Sequence, residues 1–167
     1  VAPEQDYQLY GDGLADGWEA RGLWTTVDVA GTTEVYEGEV SMSMVATQTS
    51  GYVHLDCPEP VPMAGYESLR FAFHPGDTEP TETTDYNVEI NGFRPGAVDL
   101  LQPIPEGSGI DPDQRAWQNI IIPLGSNAIF DDLTSLRFTG RLRGSFYIDD
   151  VRLVGTRGDL NSTAVLE

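Results

Sequence analysis

Three short stretches of the chain carry polar side chains at every second position. They are Tyr52, His54 and Asp56; Asn87, Glu89 and Asn91; and Arg137, Thr139 and Arg141. The positions between them are apolar: Val53 and Leu55, Val88 and Ile90, and Phe138 following Leu136. Successive side chains of a strand point to opposite faces, so each stretch sorts its polar groups onto one side. The sorted set holds amides, carboxylates, guanidinium groups, an imidazole and a phenol, which together suit a ligand rich in hydroxyls. Asn and Asp are poor strand formers, so placing them mid-strand has a cost that a binding role would explain. The plain alternative is the solvated face that any two-layer sheet protein carries. On that reading Arg137 and Arg141 pair with Glu89 and Asp99, at little gain if exposed.

Covalent chemistry has less support. The chain has no Gly-x-Ser-x-Gly elbow, no His-Glu-x-x-His and no phosphate loop. With 27 acidic residues, a pair such as Glu89 with Asp56 or Asp99 can fall at glycosidase spacing by chance. His54 and His74 are the only histidines, and His74, just before Pro75, reads as a strand-end surface residue. The expectation is a protein without catalytic residues. The Asp111-Pro112-Asp113 loop lacks the spacing of a calcium-binding EF-hand.

The polar faces need strands to hold them, and the chain supplies strand-like runs throughout. In order they are Tyr7–Tyr10, Trp18–Val29, Ser41–Thr47, Tyr52–Cys57, Ser68–His74, Tyr86–Phe93, Ala97–Gln102, Trp117–Leu124, Ser135–Arg141 and Ser145–Val154. Eighteen Gly and eleven Pro separate them. Many short alternating runs between Gly/Pro turns predict an all-β fold: a two-sheet antiparallel sandwich of the jelly-roll kind. The best helix candidate, Asn127 to Leu133, amounts to one or two turns. Jelly-roll wiring of the eight runs from Ser41 onward puts the first, eighth, third and sixth in one sheet. The second, seventh, fourth and fifth make the other, and this sheet collects all three polar stretches. Residues 1–155 are expected to form this single module, with 156–167 a polar tail or linker. Pro75–Asp85 and Pro103–Arg115 read as surface loops.

Bulk properties narrow the partners. The 167 residues carry a formal charge of −18, with nine Arg and no Lys. Such a field repels nucleic acid and anionic membrane surfaces and attracts cations, although simple solubility or salt adaptation accounts for it equally well. Cys57 is the only cysteine and reads as a buried thiol. No run is long and apolar enough for a membrane-spanning helix. The opening Val1-Ala2-Pro3-Glu4 shows no basic-then-apolar leader and reads as a mature or trimmed start.

Several segments, taken in order, resemble the β-jelly-roll carbohydrate-binding modules appended to secreted bacterial glycoside hydrolases. They are Tyr10-Gly11-Asp12-Gly13-Leu14-Ala15-Asp16-Gly17-Trp18, Gly38-Glu39-Val40-Ser41-Met42 and Tyr66-Glu67-Ser68-Leu69-Arg70-Phe71. Trp117-Gln118-Asn119-Ile120-Ile121-Ile122-Pro123-Leu124 follows, and the close is Phe146-Tyr147-Ile148-Asp149-Asp150-Val151-Arg152-Leu153, the most specific of them. The resemblance spans about Leu9 to Gly155 and implies a galactose-binding-like sandwich. It also implies a calcium ion pinning the first strand to the last. Asp149 and Asp150 are adjacent in the last strand, so alternation turns one of them inward, where a cation would offset an otherwise costly buried charge. Asp12, Glu37 and Glu39 are the nearby candidates to join them as calcium ligands.

Sugar rings stack on aromatic platforms. Trp18 and Trp117 are expected in the core or in edge packing. Trp24, in an irregular run after Gly22-Leu23, is the best exposed candidate, with Tyr52 next. The resulting expectation is a non-catalytic module that targets a parent secreted enzyme to a poly- or oligosaccharide. It would be a monomer, secreted or at the cell surface, with an attached catalytic domain in a longer protein. The binding set is Trp24, Tyr52, His54, Asp56, Asn87, Glu89, Asn91, Arg137 and Arg141. The competing readings are a structural or protein-interaction spacer of a surface protein, and a jelly-roll glycan hydrolase or lyase.

Overall fold

The computed structural model describes residues 6–48, 51–78, 86–91, 93–99, 114–124, 132–140 and 143–155. The tail, Arg141 and most of the two long loops lie outside the described residues. Eleven strands are described: β1 (Tyr7–Tyr10), β2 (Glu19–Leu23), β3 (Thr25–Gly31), β4 (Ser41–Ala46), β5 (Tyr52–Pro62) and β6 (Tyr66–His74). There follow β7 (Tyr86–Ile90), β8 (Phe93–Asp99), β9 (Gln118–Pro123), β10 (Asp132–Gly140) and β11 (Gly144–Gly155). They form two antiparallel sheets, one ordered β3-β4-β11-β6-β9 with β1 also on β11, the other ordered β2-β5-β10-β7-β8. This is the expected jelly-roll wiring, with β2 and β3 added at the edges and β1 on β11.

Alternation builds the core between the sheets. Met42 and Met44, Val53 and Leu55, Phe71 and Phe73, Leu136 and Phe138, and Phe146 and Ile148 are all buried in one cluster. Phe71 and Phe138 meet edge to face across the sheets, with centroids 5.3 Å apart, the geometry that aligns a positive ring edge with a negative face. Trp18 is buried here, and its indole N–H donates to the Tyr7 hydroxyl at 2.9 Å. Cys57 is buried as expected.

Four local expectations are corrected. The run Trp18–Val29 is two strands, β2 and β3, divided at Trp24, which has φ 51°. A left-handed residue turns the chain and lets it pass from one sheet to the other. The strand expected at Ala97–Gln102 starts earlier, at Phe93, because Asn91 sits in a turn with φ 55° and reverses the chain. Asn-Gly after an alternating run is a hairpin signal. Asp132 and Leu133, placed in the helix candidate, open β10 instead.

The fourth correction concerns His74, which is buried rather than on the surface. On one side it meets the Trp117 ring at 5.4 Å, and on the other the Tyr147 ring at 5.7 Å. Its Nδ1 accepts the Gly76 N–H at 2.9 Å.

Candidate functional site

The outer face of the five-stranded sheet assembles the polar stretches in register. Residues directly opposite in adjacent antiparallel strands share a face. One row reads Arg21, His54, Arg137 and Glu89 across β2, β5, β10 and β7. The next reads Leu23, Tyr52, Thr139 and Asn87, with Asp99 opposite Asn87 in register. A third brings Glu19, Asp56 and Ser135 together. Tyr52, His54, Asp56, Asn87, Glu89 and Arg137 therefore share one surface. Arg21, Glu19 and Leu23 join them, and the sequence reading missed these three. Their own alternation, Glu19-x-Arg21-x-Leu23, was the available signal.

Side-chain contacts fix the middle of this face. The Arg137 guanidinium lies over the Tyr52 ring, 4.3 Å from its centroid, a cation–π arrangement worth roughly 0.5–1 kcal/mol when exposed. Its Nε donates toward His54 Nδ1 at 3.5 Å. His54 stands edge-on to Tyr52, with centroids 6.5 Å apart. Burial, then the positive charges of Arg137 and Arg21, lower the His54 pKa, while Asp56 opposes them. Neutral imidazole is thus the favoured form. A lowered pKa gives stability that is present above the ordinary value of 6.5 and lost as the pH falls below it. His54 is expected to titrate below 6.5 in an NMR imidazole titration, and Arg137→Ala to raise that midpoint. Glu89 is only 7% exposed, directly across from Arg137.

Trp24 stands at the edge of the same sheet, beyond Leu23. It is 48% exposed; Leu23, directly opposite Tyr52 in the ladder, is 40% exposed. The Trp24 carbonyl accepts from Thr47 twice, from N–H at 2.9 Å and from Oγ1 at 3.0 Å. These bonds hold a backbone conformation that bulky residues rarely adopt, and strain of this kind concentrates at functional positions.

Asn91 does not present its amide to the face. Its Oδ1 accepts from Thr134 N–H (2.8 Å), Thr134 Oγ1 (3.1 Å) and Ser135 N–H (3.2 Å), and its Nδ2 donates to the Asp132 carbonyl at 2.7 Å. The side chain ties the β7–β8 turn to β10. Asn91→Ala is expected to lower stability by about 2 kcal/mol, measured by denaturant titration, with ligand affinity unchanged.

The candidate metal residues meet on the opposite sheet. Phe146 and Ile148 face the core, as do Val151 and Leu153, so β11 skips one residue at Asp149-Asp150. The ladder to β6 shifts there, and Asp150 has φ 51°. This bulge turns both carboxylates to the outer side, correcting the expectation that one points inward. Asp149 is nevertheless 1% exposed, because the β3–β4 loop lies over it. Its Oδ2 accepts the N–H groups of Tyr36 and Glu37, each at 3.1 Å, and its Oδ1 accepts that of Asp150 at 2.8 Å. Burial pushes the Asp149 pKa up, against the lowering effect of these hydrogen bonds.

Asp150 accepts from Gln8 Nε2 at 2.8 Å and Arg152 Nε at 3.1 Å. Asp12 Oδ1 accepts the N–H groups of Glu39 (2.8 Å) and Val40 (3.3 Å). A cavity of about 240 Å³ is lined by Gln8, Gly11, Asp12, Glu37, Gly38, Asp149 and Asp150. Four of the five predicted ligands thus border one space, whereas Glu39 contributes a backbone N–H to Asp12. Among the described residues, no three His, Cys, Asp or Glu side chains form a metal-binding group. A cation here would need backbone carbonyls or water to complete its oxygen shell.

No family model matches the chain, and no curated protein does. Solved structures do match. The chain is similar to the exo-1,3/1,4-β-glucanase of a Pseudoalteromonas species, with TM-score 0.63 and 14% identity over 92% of this chain and 21% of that one. It is also similar to the family 11 carbohydrate-binding module of the cellulosomal cellulase Lic26A-Cel5E of Clostridium thermocellum. That match has TM-score 0.58 and 14% identity, over 93% of this chain and 97% of the module. A third is TmCBM61, solved in complex with β-1,4-galactotriose, with TM-score 0.51 and 17% identity over 91% and 99% of the two chains. The chain spans about a fifth of the glucanase and nearly the whole of each module. Its fold is that of the β-jelly-roll carbohydrate-binding modules.

Proposed function

We propose that this chain is a non-catalytic carbohydrate-binding module that recognises a poly- or oligosaccharide on the outer face of its five-stranded sheet. The observation that carries this reading is the Tyr52–Arg137 stack at the centre of that face. Leu23 stands opposite Tyr52 in β2, the exposed Trp24 follows it in the chain, and Asn87 and Glu89 stand in the strand next to Arg137. The half-buried Tyr52 ring and the exposed Trp24 ring offer platforms for the apolar faces of pyranose units. The carboxylates, amide and guanidinium groups around them accept from and donate to hydroxyls. The module would bring an attached catalytic domain of a secreted or cell-surface protein to its substrate, and would act as a monomer.

A calcium ion is part of the same proposal. The carboxylate-rich lining of the cavity beside Asp149 suits a hard cation. Such an ion would sit between the β1–β2 loop, the β3–β4 loop and β11, drawing on carboxylates among Asp12, Glu37, Asp149 and Asp150, with backbone carbonyls or water supplying the rest of its shell. Its role there is to stabilise the fold, since this cavity is on the other sheet from the proposed glycan face.

The test is a glycan array run with and without calcium, spanning β-glucans, xylans, mannans, galactans and uronic-acid polymers. Binding to one class, weakened in Tyr52→Ala and Asn87→Ala, supports the proposal. Folded protein that binds no glycan in either condition overturns it and leaves a structural or interaction module.

A further inference from the structure

Four rings form a row on the six-stranded sheet, away from the proposed glycan face. Tyr36 rests on Trp117 with centroids 5.6 Å apart, Trp117 meets His74 at 5.4 Å, and His74 meets Tyr147 at 5.7 Å. The β3–β4 loop, the segment entering β9, the end of β6 and β11 each supply one ring. His74 and Tyr147 are directly opposite in the ladder, and their neighbours Phe73, Phe146 and Ile148 face the core, so both point outward. His74 is nevertheless only 8% exposed, because the other rings enclose it.

The bonds of this imidazole fix its protonation state. Its Nδ1 accepts the Gly76 N–H at 2.9 Å. An accepting Nδ1 leaves the single proton of neutral imidazole on Nε2, which faces Glu34 Oε2 at 3.9 Å. Gly76 belongs to the turn Pro75–Thr78, in which Thr78 donates to the Pro75 carbonyl from N–H (3.1 Å) and from Oγ1 (2.6 Å). The turn is clamped to the start of β11. Asp77 N–H donates to the Ser145 carbonyl at 3.1 Å, and Asp77 Oδ1 accepts the Ser145 N–H at 2.6 Å. Arg115 holds it from the other side, donating from Nη1 to the Gly76 carbonyl at 2.9 Å. Gly76 has φ 56°, and a Cβ there would collide with the Ser145 carbonyl, so only glycine fits.

Protonation is incompatible with this arrangement. Imidazolium donates from both nitrogens, so Nδ1–H would point at the Gly76 N–H and leave two donors facing each other in a buried place. The charged groups around the ring divide. Glu34, from the β3–β4 loop, favours the cation, and Arg115, from the segment before β9, opposes it. Tyr147, from β11, is kept neutral by burial, and Asp77 in the turn already accepts from Ser145.

We infer that His74 is an acid-released latch: neutral, it holds the Pro75–Thr78 turn against the start of β11 through Gly76, and protonated, it lets Gly76 go and loosens that end of the sandwich. Burial, then Arg115, pushes the His74 pKa down against the pull of Glu34. A lowered pKa gives stability that is present above the ordinary 6.5 and lost as the pH falls below it, so the latch is closed at neutral pH and opens in acid. The latch does not depend on the glycan reading of the other sheet.

The experiment is an NMR pH titration that follows the His74 ring nitrogens together with the Gly76 and Ser145 amides. At neutral pH the Nε2–H tautomer is expected. Below pH 6.5 the ring and both amides should shift with one midpoint, and the protection of the Gly76 amide from hydrogen exchange should fall about tenfold. His74→Asn puts an amide oxygen where Nδ1 stands and has nothing to titrate, so it should abolish the shared step and keep Gly76 protected in acid. His74→Phe keeps a ring between Trp117 and Tyr147 without an acceptor, so Gly76 should lack protection at every pH. Glu34→Gln, at a partly exposed side chain, should lower the midpoint without threatening the fold.

An Nδ1–H tautomer at neutral pH overturns the latch. So does a His74 titration that leaves the Gly76 and Ser145 amides unmoved, or an unchanged step in His74→Asn. Circular dichroism showing global unfolding before His74 takes up its proton overturns it as well.

Discussion

Replacing Tyr52 with alanine is expected to weaken glycan binding about thirtyfold, which corresponds to about 2 kcal/mol at 1.4 kcal/mol per tenfold change. Two losses combine in this variant. The ring itself is a platform for the apolar face of a sugar, and it also seats the Arg137 guanidinium 4.3 Å above its centroid. Without the ring, Arg137 regains rotamer freedom that binding must then remove. Tyr52→Phe keeps the ring and should cost far less, which separates stacking from hydroxyl contacts. Trp24→Ala should reduce affinity as well, and if both rings touch one ligand the two losses need not add. Isothermal titration against the best glycan from the array measures all three, with thermal melts confirming that the folds are equal. Unchanged affinity in Tyr52→Ala would remove the sheet face from the proposal.

The largest stability effect is expected at Asp149. Its carboxylate accepts three backbone N–H groups while almost completely buried. Asp149→Ala leaves those donors without this partner, each at roughly 1–3 kcal/mol if it stays buried. Relaxation of the β3–β4 loop recovers part of this, so a loss of about 3 kcal/mol is expected. For a chain of this size that lowers Tm by roughly 6–12 °C.

The pH dependence has a definite sign. Burial raises the folded-state pKa of Asp149 above its ordinary 3.8. Stability linked to the protonated form is therefore present below 3.8 and lost as the pH rises through the folded value. Above it the buried charge carries a cost, and a calcium ion in the adjoining cavity would offset that cost. Calcium should raise the wild-type Tm at neutral pH, do so much less in the acid range, and do little in Asp149→Ala. Equal calcium responses in wild type and variant would remove Asp149 from the proposed ligand set.

Much of the candidate face was legible because period-2 alternation is a local property. Val53, Leu55, Val88, Leu136 and Phe138 declare their strands' inward sides, and the polar partners follow from parity. Local backbone geometry hid the rest. Asn91 has the parity of the binding face, yet it occupies the left-handed position of a turn and spends its amide on β10. Arg21 and Leu23 were hidden because the run from Trp18 to Val29 looks continuous, whereas the chain changes sheets at Trp24. Asp149 and Asp150 looked like opposite-facing neighbours, and a bulge set them on the same side.

The amino-acid sequence alone determined the all-β class, the two-sheet wiring and the inward residues, since each rests on the alternation of apolar positions and the order of strands. Trp24 as an exposed ring and Trp18 as a core residue were also readable from their surroundings. Only the tertiary structure decided which polar residues stand in the same row and that the β3–β4 loop seals Asp149. Those features depend on registers and bulges between strands far apart in the chain. A one-residue shift in such pairing moves a side chain to the other face, and no local pattern encodes it.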